Sequence, residues 1–101
     1  MITELAQKLK SSKVPLFTKI HEQNGTTITV VGLKRGLLLK KSDFPQPKKL
    51  LVIKGEIDFN TTRESRRYAC YESYEIPETT DYSLEAWDDA IFLLFNESRS
   101  T

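Results

Sequence analysis

The chain has 101 residues, of which 39% are hydrophobic and 29% are charged, with 15 basic and 14 acidic side chains. This composition is typical of one globular domain and unlike that of disordered chains. The net charge of +1 is too small for a protein that binds nucleic acid by neutralising phosphates. The sequence also has no apolar run of about 18 residues, the length that a membrane-spanning helix needs. We therefore expect neither a nucleic-acid partner nor a membrane partner.

Cysteine and histidine are scarce. Cys70 is the only cysteine, which excludes an intrachain disulfide, and His21 is the only histidine. These two residues are too few for a Cys/His zinc cluster. The first ten residues, MITELAQKLK, lack the apolar core of a secretion signal. We therefore predict a cytoplasmic, reducing location.

The first predicted element is a short N-terminal helix. Ile2, Leu5, Ala6 and Leu9 recur at helical spacing, and Thr3 is a candidate N-cap. One apolar face of this kind predicts a helix that packs on the body of the domain.

From Val14 onward the hydrophobic pattern has a period of two, which is typical of β-strands. Asn24-Gly25 is a strong hairpin signal, because both residues accept positive φ. The two prolines of DFPQP exclude a central strand there. We predict about nine short strands, which favour a sandwich or barrel, in FTKI, TTITVVGL, LLLKK, KLLVIK, EIDF, RRYAC, YEI, YSLEA and AIFLLF.

Two stretches resemble the motifs of a known family. KKLLVIKGEIDF has the order strand, glycine turn and strand, and YEIPETTDYSLEAWDDAIFLLF has a strand that ends in Ile-Pro before an apolar final strand. Both resemble a small single-domain cupin of the RmlC-like type. The resemblance is strongest over residues 26–95. It implies an all-β fold, a cupin-type jelly-roll barrel (a double-stranded β-helix), behind the short N-terminal helix. We expect one domain over 1–101, with a frayed tail at 97–101.

The first cupin motif, G-x5-H-x-H-x3-E-x6-G, fits between Gly36 and Gly55 without a gap. Its two histidine positions fall on Ser42 and Phe44, and its glutamate position falls on Lys48. A phenyl ring donates no lone pair, a hydroxyl is a weak ligand, and an ammonium repels a metal ion. The metal-binding half of the motif is therefore absent.

The second cupin motif is anchored by Pro77, and its histidine position falls on Tyr82. A protonated tyrosine is a poor metal ligand. The resemblance therefore implies a cupin with no metal and no cofactor, and hence without the metal-dependent chemistry that is usual for the family.

The four replaced positions, Ser42, Phe44, Lys48 and Tyr82, form a candidate ligand-binding site. Alternate barrel residues point inward, so these four would share the interior with Leu50, Val52, Leu84 and Ala86. An aromatic wall, two hydroxyls and one ammonium suit a small anion or a carbohydrate-like ligand such as a sugar acid.

Three functions remain open at this point. The leading hypothesis is a metal-free small-molecule-binding or sensor module with no catalytic residues. The alternative is a structural barrel whose interior is filled, with Phe44 and Tyr82 closing the cavity. The third is a metal-independent enzyme for a sugar or keto acid, with Lys48 as general base and Tyr82 as acid.

We also expect a homodimer, because small cupins commonly pair. The consecutive residues Leu37, Leu38 and Leu39 support this expectation. In a fold whose side chains alternate, such a triplet places at least one large apolar side chain outward, where an interface can cover it.

Overall fold

The computed structural model describes residues 7–8, 13–40, 47–77 and 81–97, which contain nine β-strands. Gln7 and Lys8 have helical geometry, in agreement with the predicted N-terminal helix. The rest of that helix, Ser42, Phe44 and the predicted tail beyond Glu97 lie outside the described residues. The strands are β1 (Leu16–Gln23), β2 (Thr26–Leu33), β3 (Leu38–Lys40), β4 (Lys49–Lys54), β5 (Ile57–Asn60), β6 (Ser65–Tyr68), β7 (Ser73–Glu75), β8 (Ser83–Ala86) and β9 (Ala90–Glu97).

The strands form two antiparallel sheets. Sheet A has the order β1-β2-β9-β4-β7, and sheet B has the order β3-β8-β5-β6. The last strand, β9, lies in the middle of sheet A and pairs with β2 on one side and β4 on the other. Distant parts of the chain must therefore meet before sheet A is complete. The predicted all-β architecture is confirmed.

Most strands lie where the period-two pattern places them, and β2 and β4 match TTITVVGL and KLLVIK residue for residue. The exception is β1, which is predicted over FTKI but runs over Leu16–Gln23. A β-bulge shifts its register between Lys19 and His21. A bulge inserts one extra residue and breaks the alternation, so the pattern hides the second half of this strand.

The core lies between the two sheets. Leu50, Val52 and Leu84 are fully buried and Ala86 is 2% exposed, so the four residues predicted to line the interior do so. Apart from tyrosine hydroxyls, no polar or charged residue within the described ranges is buried. One cluster of large apolar side chains fills the space: Val31, Leu33, Leu39, Leu50, Val52, Ile57, Phe59, Tyr68, Ile76, Tyr82, Leu84, Ala86, Ala90, Phe92 and Leu94.

Four aromatic rings form a continuous chain through this core. Tyr82 stacks on Phe59 with ring centroids 4.7 Å apart, and the edge of Phe59 meets Tyr74 at 5.0 Å. Tyr74 in turn stacks on Tyr68 at 5.3 Å. Such pairs stabilise a core beyond their buried area. Tyr82 is only 5% exposed, and burial raises the pKa of its phenol to about 12.

The hairpin between β1 and β2 turns at Asn24-Gly25, as predicted. Their φ angles are 52° and 80°, and the flanking residues Gln23 and Thr26 pair across the strands. Two consecutive positive φ angles are the mark of a type I′ turn, whose twist matches that of the strands.

Gly55 joins β4 to β5 in a left-handed conformation, with φ of 76°. A Cβ atom at this position would overlap the backbone carbonyl oxygen of Asp89 and lie 3.0 Å from Cα of Ala90. The turn therefore requires glycine for two reasons. Its φ is positive, and the turn between β8 and β9 approaches too closely for a Cβ atom.

Replacing Gly55 by alanine should lower the free energy of unfolding by about 3 kcal/mol or more, because left-handed strain and a backbone clash add together. Gly36→Ala is the matched control. Gly36 has φ of 86°, but a Cβ added there would meet no other part of the chain within 4 Å, so its loss should be about 1 kcal/mol. Urea unfolding measures the free energy of unfolding of both variants. Equal losses for the two would contradict the close approach of Gly55 to the backbone of Asp89.

Burial of Tyr82 predicts a pH effect on stability. Its pKa of about 12 in the folded chain exceeds the value of about 10 expected when unfolded. The stabilisation is therefore complete below pH 10 and is lost as the pH rises toward 12. Tyr82→Phe cannot ionise, so wild-type stability should fall relative to the variant by about 1–2 kcal/mol across this range. A difference that stays constant from pH 8 to pH 12 would show that the phenol is not buried.

Candidate functional site

The candidate site lies at one end of the sandwich, which we call the mouth. The connection from β3 to β4 and the connection from β7 to β8 both cross between the sheets there. Register shows that they share this end, because Lys49 pairs with Glu75 in sheet A and Lys40 pairs with Ser83 in sheet B. The mouth therefore has a sheet A side and a sheet B side.

Lys48 lies on the sheet A side and is partly buried. Its backbone is held at both ends, since its N–H donates to the carbonyl oxygen of Phe95 (2.7 Å) and its own carbonyl accepts from the N–H of Ile76 (2.8 Å). Lys48 lines an open depression of about 600 Å³ together with Thr26, Lys49, Glu75, Ile76, Pro77, Phe95 and Asn96. The ammonium of Lys49 lies 5.9 Å from the centroid of the Phe95 ring.

Tyr82 lies on the sheet B side, at the start of β8. One ring face packs on Phe59 in the core, and the residue also lines a second open depression of about 490 Å³. Its other lining residues are Leu38, Lys40, Asn60, Thr61, Thr62, Asp81 and Ser83. We call this depression the rim pocket.

Lys48 and Tyr82 thus lie at the same end of the sandwich but line separate depressions. Ser42 and Phe44 lie outside the described residues. The predicted four-residue site therefore stays a prediction. Of its four residues, Tyr82 is the one that lines the rim pocket.

The rim pocket opens on the outer face of sheet B, not between the sheets. Lys40 is exposed while its neighbour Leu39 is buried, and Asn60 and Ser83 alternate with buried Phe59 and Leu84. Alternation therefore turns these polar side chains away from the core. Of the leucine triplet, Leu38 is the member that points outward, at 44% exposed.

Register explains why these polar residues meet. Lys40 pairs with Ser83, and Ser83 pairs with Asn60, so the ends of three adjacent strands align. The Oγ1 of Thr61 donates to the carbonyl oxygen of Glu64 (3.1 Å) and accepts from the N–H of Glu64 (3.1 Å), which fixes the following turn. The Oδ1 of Asn60 accepts from the hydroxyl of Ser65 at 2.6 Å.

Sequence reasoning did not single out Lys40, Asn60 and Ser83 as candidate binding residues. They are far apart in the chain and belong to no local motif, so only the strand order β3-β8-β5 brings them together. One signal in the sequence could have pointed to this pocket. The triplet Leu37, Leu38 and Leu39 requires one leucine to point outward, and Leu38 forms the apolar part of the pocket.

The chemistry of the rim pocket is mixed. Lys40 offers a cation and Asp81 an anion, while Asn60, Thr62 and Ser83 offer neutral donors and acceptors. Leu38 adds an apolar surface, and Tyr82, whose ring packs in the core, also lines the pocket. A small ligand with one carboxylate and several hydroxyls matches this set, because the carboxylate can pair with the ammonium and the hydroxyls with the neutral groups.

Across the described ranges, no group of three or more His, Cys, Asp or Glu side chains could hold a metal ion. Cys70 is exposed, and its Sγ lies 2.9 Å from the carbonyl oxygen of Ile53 at the end opposite the mouth. Among the residues that the structure describes, no helix has the length and hydropathy needed to cross a membrane.

Comparison by sequence identifies no relative, since no protein-family model and no curated protein matches the chain. Comparison with solved structures identifies proteins of similar fold. A cupin-2 domain-containing protein from Shewanella frigidimarina has a TM-score of 0.72 and 13% identity, and the match covers 97% of this chain and 93% of that one.

Two further solved structures agree. The cupin-2 domain of an XRE family transcriptional regulator from Enterobacter cloacae has a TM-score of 0.71 and 11% identity, covering 87% of this chain and 100% of that one. An RmlC-like cupin protein from Desulfovibrio desulfuricans has a TM-score of 0.64 and 18% identity, covering 81% of each chain. Identities this low show the fold alone. The chain has the cupin fold, and it lacks the histidines and the glutamate of the cupin metal motifs.

Proposed function

We propose that the protein is a metal-free cupin module that binds a small molecule, and that its ligand is a small anion or a sugar acid held in the rim pocket. The observation that supports this most directly is the convergence of Lys40, Asn60 and Ser83 at three aligned strand ends in the rim pocket. An ammonium near hydroxyl and amide groups is a recognition set for a hydroxylated carboxylate.

The apolar interior supports a ligand at the rim instead of between the sheets. Leu50, Val52 and Phe92 close the space from sheet A, and Leu84 and Phe59 close it from sheet B. A carboxylate in such surroundings would lose its hydration without gaining partners. At the rim the same ligand keeps water on one side.

A sensor role is part of the proposal. The similar domain from Enterobacter cloacae belongs to a transcriptional regulator, so this fold serves there as a module of a regulatory protein. We propose by analogy that ligand binding at the mouth of this chain is transmitted to a partner protein or a further domain.

A structural barrel without a ligand is the second candidate. It is favoured by one observation: the interior cluster is entirely apolar apart from its tyrosine hydroxyls within the described residues. The experiment below separates it from the leading proposal.

The enzyme hypothesis, with Lys48 as base and Tyr82 as acid, receives less support. The two residues line separate depressions, whereas acid and base catalysis needs both groups within reach of one substrate.

The metal-free part of the proposal predicts that untagged, chelator-washed protein contains no stoichiometric transition metal. A tight site needs about three or four converging nitrogen, sulfur or carboxylate ligands, and the chain has one histidine and one cysteine. Elemental analysis by mass spectrometry measures this. One equivalent of iron, manganese, nickel or zinc per chain would overturn it.

The ligand proposal predicts that D-glucuronate, used as a probe, binds at the rim pocket. Titration followed by ¹H–¹⁵N NMR should shift the amide signals of Asn60, Thr62 and Ser83. Neutral D-glucose is the matched probe without a carboxylate, and it should bind more weakly. Lys40→Met should weaken glucuronate binding about tenfold or more, because a charge-assisted hydrogen bond is lost.

Lys54→Met is the matched control variant, because Lys54 is also exposed but lies at the far end of β4 from the mouth. It should bind glucuronate like the wild type. Equal affinity for both sugars, or no effect of Lys40→Met, would contradict the proposal. No shift at millimolar glucuronate or at millimolar citrate, a small non-sugar anion, would favour the structural barrel.

A further inference from the structure

Trp87, the only tryptophan of the chain, lies in the turn between β8 and β9. The residue is 54% exposed. Its backbone is held in place, because its N–H donates to the carbonyl oxygen of Glu56 at 3.0 Å. Tryptophan is enriched at binding surfaces, since its ring offers a large contact area at a small cost in side-chain entropy. Trp87 is therefore a candidate ligand contact that the rim pocket does not include.

The indole of Trp87 is positioned by a neighbouring cation. The guanidinium carbon of Arg67 lies 3.9 Å from the centroid of the ring, in a cation–π contact. Arg67 is held in turn, because its Nε donates to Oδ1 of Asp58 at 2.8 Å. The ring also lines an open depression of about 460 Å³, so part of its surface meets solvent. An indole that is already oriented loses little freedom when a ligand packs on it.

Strand register places Trp87 on the outer face of sheet B, where the rim pocket also opens. Ser83 of the rim pocket, Glu85 and Trp87 are alternate residues, and the two residues between them are buried. Asp58 pairs with Glu85 on one side and with Arg67 on the other, so the groups that hold the indole lie in the adjacent row. A strand rises about 3.3 Å per residue, so the four steps from Ser83 to Trp87 span about 13 Å. Two linked sugar rings can cover this length.

The side chains near Trp87 carry a different balance of charge from those of the rim pocket. Glu85 is exposed between the pocket and the indole. Glu56 and Asp88 line the depression beside the ring, with Arg35 as their cationic neighbour. This excess of carboxylates repels a second acid, but carboxylates accept hydrogen bonds from hydroxyl groups. A neutral sugar therefore suits the Trp87 end of the surface.

We propose that the rim pocket and Trp87 are two ends of one binding surface, and that its ligand is an acidic oligosaccharide. A terminal sugar acid occupies the rim pocket, with its carboxylate on Lys40, and is linked to a neutral sugar. The C–H face of the neutral sugar packs on the indole, and its hydroxyls donate to Glu85. This inference rests on the proposed function for the rim pocket and adds the class of ligand and a second contact.

Lactobionate, in which a galactose ring is linked to gluconate, probes the whole surface. Gluconate alone is the matched shorter probe. Lactobionate should bind about five- to tenfold more tightly, because its galactose ring gains one aromatic contact. Since Trp87 is the only tryptophan, fluorescence reports this contact. Lactobionate should shift the emission maximum, and gluconate should leave it unchanged.

Variants test the role of the indole. Trp87→Ala should lower the affinity for lactobionate about five- to tenfold, to the level of gluconate. Trp87→Phe keeps a smaller ring and should retain part of the affinity. Tyr71→Ala is the matched control and should bind lactobionate like the wild type. Tyr71 is also an exposed aromatic residue, at 79%, but its N–H donates to the carbonyl oxygen of Val52 in sheet A.

Equal affinities of the wild type for lactobionate and gluconate overturn the proposal, as does wild-type affinity for lactobionate in Trp87→Ala. In either case, shifts of the Asn60 and Ser83 amide signals by gluconate or glucuronate leave the rim-pocket function standing by itself. Gluconate shifts in Trp87→Ala show that this variant is folded, so a loss of lactobionate affinity then belongs to the indole. Absence of binding by all of these probes overturns both proposals.

Discussion

The face-to-face packing of sheets A and B through large apolar side chains is the constraint on which the rest of the structure depends. β9 contributes Phe92 and Leu94 from the middle of sheet A, and they meet Leu84 and Ile57 of sheet B in one buried cluster. Burial of each such side chain stabilises the fold by about 1.5–3 kcal/mol. Among the described residues the space between the sheets is lined by close-packed apolar side chains. Recognition chemistry built from these residues would therefore lie at the ends or on the outer faces.

Tyr82 shows how the mouth accommodates this constraint. It occupies the position of a cupin metal ligand in the sequence motif, but its ring belongs to the aromatic chain with Phe59 and Tyr74. Burial raises the pKa of its phenol to about 12, so the phenol stays protonated beyond the pH at which an exposed tyrosine ionises. The residue closes the core from one side and forms part of the rim pocket on the other. A position used for a metal in the family motif thus becomes a packing position, and charged groups such as Lys40 and Asp81 remain at the solvent boundary.

The sequence was informative where local rules decide the structure. Period-two alternation located β2 and β4, the Asn24-Gly25 pair located a hairpin, and the resemblance to the cupin motif placed Gly55 in a turn between two strands. It was uninformative where distant strands meet. No local pattern shows that β3, β8 and β5 are neighbours, so Lys40, Asn60 and Ser83 could not be grouped. The bulge in β1 likewise depends on pairing with β2, and it hid half of that strand from the alternation rule.

A high-resolution crystal structure of the protein soaked in D-glucuronate tests most directly whether the sandwich is filled and recognition lies at its rim. We expect side-chain density for Phe59, Tyr82 and Phe92 to fill the space between the sheets, without ordered water there. We expect the sugar carboxylate within hydrogen-bonding distance of the Lys40 ammonium on the outer face of sheet B. Glucuronate or a chain of ordered water between Val52 and Leu84 would contradict the account, because it would show that the interior is an open site.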